Sequence, residues 1–270
     1  MTTTITASER LAMLCGEFRL PTLATELVSR LVAAGHEAVI PLVAEIFELE
    51  ASDRRERRVE RLLRLSKLPP GKTLDTLQDQ RLPRPLMQQV RELSRGEFVD
   101  RAVNVLAFGR PGVGKSHVAA AIGHALVTSG RSVLFAPTYQ LVQELLAAKR
   151  DLALPRALAK LDVFDLLILD DIGYVQQAPD EIEVLFTLLA ERYERRSVLI
   201  TSNLVFSEWD QIFKNPMTTA AAIDRLVHHS TILEFAVPSY RSERANQPTE
   251  PPLSSKIGTK EKTKARRKSR

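Results

Sequence analysis

Apolar residues change their spacing along the chain, and each change marks a different kind of element. Between residues 8 and 68 they recur at intervals of three and four: Leu11, Leu14, Phe18 and Leu20, then Leu27, Leu31 and Val32. That is the period of amphipathic helices. Pro21 and Pro41 stand where helices can begin. In the last of these stretches the run PLVAEIFELEA is apolar on one side, and SDRRERRVERLLRL then brings Arg54, Arg57, Arg58, Arg61 and Arg64 onto one helical face. Pro69, Pro70, Gly71, Pro83 and Pro85 punctuate the segment that follows, which reads as a hinge. From Asn104 to Phe235 five short apolar runs, NVLAF, SVLFA, LLILD, SVLIT and TILEF, alternate with longer amphipathic stretches at 115–129, 139–149, 180–194 and 219–228. Strand–helix alternation predicts an α/β domain with a parallel sheet between layers of helices. Beyond Pro238 the apolar content falls away, and disorder is expected past residue 246. The predicted organisation is a small helical domain over 1–68, a linker with a lead-in helix over 69–103, the α/β domain over 104–245 and a tail over 246–270.

Composition narrows the class. The 270 residues are 44% hydrophobic and 26% charged, a globular balance long enough for a sizeable core. The single cysteine, Cys15, rules out an intrachain disulfide and suits a reducing compartment. No run approaches the roughly 18 apolar residues of a membrane span. The N-terminus has no basic start followed by an apolar core, so no secretory leader is expected. A soluble, cytoplasmic protein is predicted, without a membrane partner. The net charge is +5, and the tail from Asn246 alone nets +6, leaving the first 245 residues at −1. Such a basic arm either touches nucleic acid or only solubilises the chain.

The chemistry begins at Gly109-Arg110-Pro111-Gly112-Val113-Gly114-Lys115-Ser116, which fits G-x-x-x-x-G-K-[ST]. A predicted strand feeds it and a predicted helix leaves it. Glycines allow backbone N–H groups to converge on phosphates, and the helix N-terminus adds its positive end. Lys115 is expected to reach the outer phosphates and Ser116 to offer its hydroxyl to Mg²⁺. A second run, LLILDD, ends a buried strand with Asp170 and Asp171, at the sheet end where open α/β folds bind ligands. Asp170 is expected to hold Mg²⁺ through water, and Asp171 to polarise an attacking water. SVLITSN ends another strand at Asn203. Its amide either positions that water or caps the next turn. Arg225, in AAAIDRLVHH, either stabilises a transferring phosphoryl group in a neighbour's site or pairs with Asp224. His117, His124, His228 and His229 lack accompanying cysteines and predict no zinc site. Trp209 reads as a core or interface anchor.

These residues together carry a resemblance. GRPGVGKSHVAAAIGHAL, LLILDDIGY, FTLLAERYERRSVLITSNLVFSEW, AAIDRLVHHS and SYR resemble the IstB-type ATPases, transposition helpers of insertion sequences. These belong to the AAA+ class and are similar to DnaC-type helicase loaders. The resemblance spans about residues 7–245. It implies a P-loop AAA+ core with a five-stranded parallel sheet, a homo-oligomer that shares ATP between neighbours, DNA binding, and a transposase of the same element as partner. Carried over by motif, Lys115 and Ser116 match the Walker A ligands and Asp170 and Asp171 the Walker B pair. Asn203 matches sensor 1, Arg225 the arginine-finger position and Arg241 of SYR a sensor 2 arginine. This chain departs from the pattern by having Asp171 where AAA+ proteins usually carry Glu. It has DTLQDQRL where the family usually has an aromatic-rich segment, and it adds a Lys/Arg tail.

The expected function is an ATP-dependent DNA-binding switch that assembles on target DNA and recruits or stimulates the transposase. The stripe of Arg54, Arg57, Arg58, Arg61 and Arg64 is the candidate DNA surface outside the tail, sequence-tolerant and salt-sensitive. It otherwise reads as a solvated face paired with Glu50, Glu56 and Glu60. The rival readings are a replicative-helicase loader, which shares the same core, and a P-loop small-molecule kinase, in which Asn203 and Arg225 are idle.

Overall fold

The computed structural model describes residues 5–77, 81–172, 178–204, 208–209, 226 and 230–237. The chain opens with α1 (Ala7–Glu17) and α2 (Pro21–Ala33), then a 3₁₀ turn at Glu37–Val39 and the long α3 (Ile40–Ser66). Thr6 and Glu9 cap α1 reciprocally: the Thr6 N–H donates to Glu9 Oε2 at 2.8 Å, and the Glu9 N–H donates to Thr6 Oγ1 at 3.3 Å. Both expected prolines lie in first turns, Pro21 in α2 and Pro41 in α3. Leu11, Cys15, Ile40 and Ala44 form the buried centre of this bundle, flanked by Leu27, Leu31 and Phe47. Burial pushes the Cys15 thiol above its ordinary value.

Helix α3 has two jobs. Its first half packs on α1, while its second half packs on the α/β core. Leu62, and Leu68 just past its end, belong to the same buried cluster as the central strands. Its 27 residues span about 40 Å at 1.5 Å per residue. A left-handed Lys67 ends it at φ 53°. The lead-in segment holds a 3₁₀ turn at Leu74–Thr76, then α4 (Arg84–Leu93) and the short α5 (Glu97–Asp100).

The core alternates β1 (Asn104–Gly109), α6 (Lys115–Thr128), β2 (Val133–Pro137), α7 (Thr138–Arg150), α8 (Leu154–Asp162), β3 (Leu166–Ile172), α9 (Pro179–Arg192), β4 (Ser197–Ser202) and β5 (Ser230–Phe235). The strands lie in the order β2-β3-β4-β1-β5, all paired in parallel. All five predicted strands are present. Helix α8 is an addition, because the sequence pattern left 150–165 unassigned. It is nine residues long with Pro155 in its first turn, a position where proline starts a helix rather than breaking it. The predicted helix over 219–228 and the tail lie outside the described residues.

Side chains leave each strand alternately to two apolar layers. Leu106, Phe108, Leu167, Leu169, Val198 and Ile200 face α7, α8 and α9. Val105, Ala107, Leu166, Ile168 and Leu199 face α6, α4 and the end of α3. Two-sided burial explains why these strands read as continuous apolar runs. Trp209 is fully buried, edge-on to Phe108 at 6.0 Å, with its Nε1–H donating to the Leu204 carbonyl, so it is a core anchor. No helix among the described residues is long and apolar enough to cross a membrane.

Candidate active site

Parallel strands bring their C-terminal ends to one edge, and the motif residues of β1, β3 and β4 meet there. β1 ends at Gly109, where the backbone passes close to β5: a Cβ at Gly109 would lie 2.7 Å from Phe235 Cβ and 2.8 Å from its carbonyl oxygen. Only glycine fits. The loop then turns through Gly112 at φ 81° and Gly114 at φ 101°, both left-handed. Gly114 is the N-cap of α6 and supplies no side-chain bond to it. The first N–H groups of α6 therefore face the loop without a side-chain cap, which is the arrangement that binds an anion.

Lys115 is the first residue of α6 and only 6% exposed. Its Nζ donates to the carbonyls of Gly109 at 2.7 Å and Arg110 at 3.0 Å, and to Asn203 Oδ1 at 2.7 Å. Asn203 stands just beyond β4, and its Nδ2 donates to Asp171 Oδ1 at 2.7 Å. The amide thus ties the ammonium of α6 to a carboxylate of β3. Ser116 follows Lys115, half-buried at the same helix end. Asp170 and Asp171 end the apolar run of β3, both half-buried. Thr201 of β4 donates its hydroxyl to Asp170 Oδ1 at 2.6 Å and accepts from the Asp171 N–H at 2.8 Å. From the other side Thr138, the first residue of α7, donates to the Asp170 carbonyl at 2.9 Å.

The lead-in segment reaches the same helix. His117 Nε2 lies 3.0 Å from Thr76 Oγ1. Burial holds its imidazole below the ordinary value. A hydrogen bond to the Thr73 backbone opposes that fall, and Lys72 adds to it.

The donor set is chemically specific. A backbone turn and a buried ammonium suit a polyphosphate. A hydroxyl and two carboxylates are hard oxygen donors that suit Mg²⁺ rather than a thiolate-seeking metal. His124 is placed elsewhere, on the Pro69 carbonyl. Arg225 and Arg241, with Asp224, His228 and His229, lie outside the described residues.

The arginine stripe of α3 is divided. Arg54 pairs with Glu50 at 2.6 Å and stacks over the Phe18 ring at 4.2 Å. Arg57 reaches Glu50 at 3.6 Å, and Arg58 donates to the Gly130 carbonyl after α6. Arg61 and Arg64 are exposed, and among the described residues no ion pair ties them.

Sequence reasoning singled out Lys115, Ser116, Asp170, Asp171 and Asn203. It missed Thr201 and Thr138, which sit inside strand and helix patterns with no motif of their own.

A family model described as IstB-like ATP binding protein matches residues 13–248. The chain belongs to this family. An insertion-sequence ATP-binding protein of Sinorhizobium fredii is 46% identical over 239 residues, covering 87% of this chain and 80% of that protein. The insertion sequence IS21 ATP-binding protein of Pseudomonas aeruginosa is 40% identical over 192 residues, covering 71% and 72%. Among solved structures, the DnaC helicase loader superposes with a TM-score of 0.50 at 17% identity, covering 65% of this chain and 98% of that one. DnaI gives 0.52 at 19% identity, covering 63% and 95%. The fold is thus the DnaC-like AAA+ fold, with a five-stranded parallel sheet behind a helical N-terminal region, and the IstB-like family is one of ATP-binding proteins of insertion sequences.

Proposed function

We infer that this IstB-like chain is a Mg²⁺-dependent ATPase that assembles on DNA in its ATP form and recruits or stimulates the transposase of the same element. The observation that carries this reading is the chain of contacts Lys115–Asn203–Asp171, which ties together the loop before α6 and the ends of β3 and β4. Mg²⁺, when bound, would neutralise phosphate charge, with Ser116 and Asp170 as its ligands. Lys115 exchanges the loop carbonyls for phosphate oxygens, which are stronger acceptors for an ammonium. Asp171 accepts the proton of the attacking water, and Asn203 orients both that carboxylate and the water. Asp171 is shorter than the usual Glu, so the water has to approach closer to β3. Arg225 is assigned to the neighbour's site, where a guanidinium stabilises charge on the transferring phosphoryl group. Arg241 is assigned to the same nucleotide as a sensor. DNA is held through phosphates by the free part of the α3 stripe and by the tail.

The same core serves a helicase loader, and the insertion-sequence relatives favour the transposition role. A kinase needs an acceptor and has no use for the Asn203–Asp171 contact. The test is ATP turnover with and without duplex DNA, followed by capture of the transposase by DNA-bound protein. Lys115→Ala should bind nucleotide at least tenfold more weakly. Asp171→Asn should bind normally, hydrolyse at least a hundredfold more slowly and stay on DNA. Unimpaired turnover in Asp171→Asn overturns the assigned base, and turnover that requires an added phosphate acceptor returns the kinase.

A further inference from the structure

Asp170 and Asp171 are consecutive residues of one strand, and in a regular strand consecutive side chains point to opposite faces. Here they do not behave so. Asp170 accepts from Thr201 and Asp171 from Asn203, so both carboxylates reach the same neighbouring chain segment. The reason lies in the register. Leu169 pairs with Ile200 and Ile172 with Ser202, with a shift between them. Two residues of β3 thus oppose one residue of β4, and that residue is Thr201. This is a β-bulge. Asp171 takes a left-handed φ of 63°, and Leu169 and Ile172 both face the α7–α9 layer.

Thr201 is 1% exposed, and its hydroxyl serves both halves of the bulge. It accepts from the Asp171 N–H and donates to Asp170 Oδ1. We propose that Thr201 is a positioning residue: it locks a two-for-one bulge that turns both adjacent carboxylates toward the nucleotide. The proposal rests on the ATPase reading for its catalytic consequence. Without the hydroxyl the Asp171 N–H loses this acceptor and Asp170 loses its fixed orientation. The strained backbone at Asp171 is then free to relax toward regular pairing.

Thr201→Val keeps nearly the same shape and removes only the hydroxyl function, while Thr201→Ser keeps it. In the full chain, three quantities are measured: kcat and KM for ATP, the Mg²⁺ concentration that half-saturates binding of a fluorescent ATP analogue, and the melting temperature. In Thr201→Val, kcat is expected to fall at least tenfold with KM within threefold, and the Mg²⁺ requirement to rise at least threefold. Thr201→Ser is expected to restore both. Wild-type kcat and Mg²⁺ requirement in the valine variant overturn the proposal, as does a serine variant as impaired as valine. If the valine variant does not fold, the comparison of Thr201→Ala with Thr201→Ser decides on the same readouts. If the wild-type protein itself hydrolyses no ATP, the ATPase reading fails, and an unchanged Mg²⁺ requirement in the variant then overturns this proposal separately.

Discussion

Asn203 is where an ammonium and a carboxylate share one neutral side chain. Its Oδ1 faces Lys115 and its Nδ2 faces Asp171, the one orientation in which both bonds are attractive. Asn203→Ala should leave ATP binding within about threefold of wild type, since Lys115 and the loop N–H groups still reach the phosphates, and lower turnover at least tenfold. Equilibrium nucleotide titration beside steady-state hydrolysis checks this, and equal losses in both would make Asn203 a binding residue instead. His117, two positions past Lys115, gives a pH prediction. Burial holds its folded value below the 6.5 of the free imidazole. Between the two values the unfolded chain binds a proton that the folded chain refuses. The stability that follows is complete above about pH 6.5 and is lost as pH falls through the folded value. Wild type should therefore lose more unfolding free energy than His117→Gln between pH 8 and pH 5 in urea titrations, and parallel curves would contradict the shift. At this scale the candidate site was legible wherever a motif is contiguous. Lys115, Ser116, Asp170 and Asp171 announce themselves by neighbours in sequence. Thr201 does not, because its role exists only once β3 slips by one residue against β4.

Elements were legible where apolar runs are long. The five strands have few alternative readings, because two-sided burial demands four or more consecutive apolar residues. Helix α8 was missed because it is short and begins at a proline. What secures it is not in its own sequence. Arg192, at the end of α9, is 2% exposed. It donates to the carbonyls of Leu161, in the last turn of α8, of Phe164 just past that helix, and of Ser197 at the start of β4. The guanidinium thus closes the C-terminal end of α8, whose last carbonyls have no partner within the helix. Desolvation pulls its pKa down to about 10, opposed by Asp162 and Asp165 and assisted by Arg196 and Arg195, so it remains charged at neutral pH. In the string RYERRS, which carried much of the resemblance, the first arginine is therefore a structural clamp rather than a site residue. Arg192→Met should cost about 3 kcal/mol, since several buried carbonyls lose their donor at about 1–3 kcal/mol each. The urea midpoint should fall with its slope unchanged. A midpoint equal to wild type would mean that water replaces the guanidinium.

For the whole molecule, the decisive element is α3, which joins the helical bundle to the ATP-binding core and carries the arginine stripe between them. The sequence showed the stripe but not its division, because spacing puts residues on a face without saying what that face meets. Arg54 is occupied by Glu50 and the Phe18 ring, and Arg58 by the Gly130 carbonyl, so these two hold α3 to its neighbours. Arg61 and Arg64 are exposed and have no such duty among the described residues, which makes them the part of the stripe to test against DNA. The two groups should separate under mutation. Arg58→Ala should lower stability by about 1 kcal/mol, the net worth of one such hydrogen bond. Arg61→Ala with Arg64→Ala should leave the melting temperature unchanged, weaken duplex binding and flatten the slope of log affinity against log salt by about 2, near 0.9 per phosphate contact. That change should be the same for unrelated duplex sequences, because phosphate contacts carry no base readout. A salt slope unchanged by the double substitution would remove α3 from the DNA path and leave the basic tail as the surface to test. A slope that changes for one sequence alone would mean that these arginines read bases.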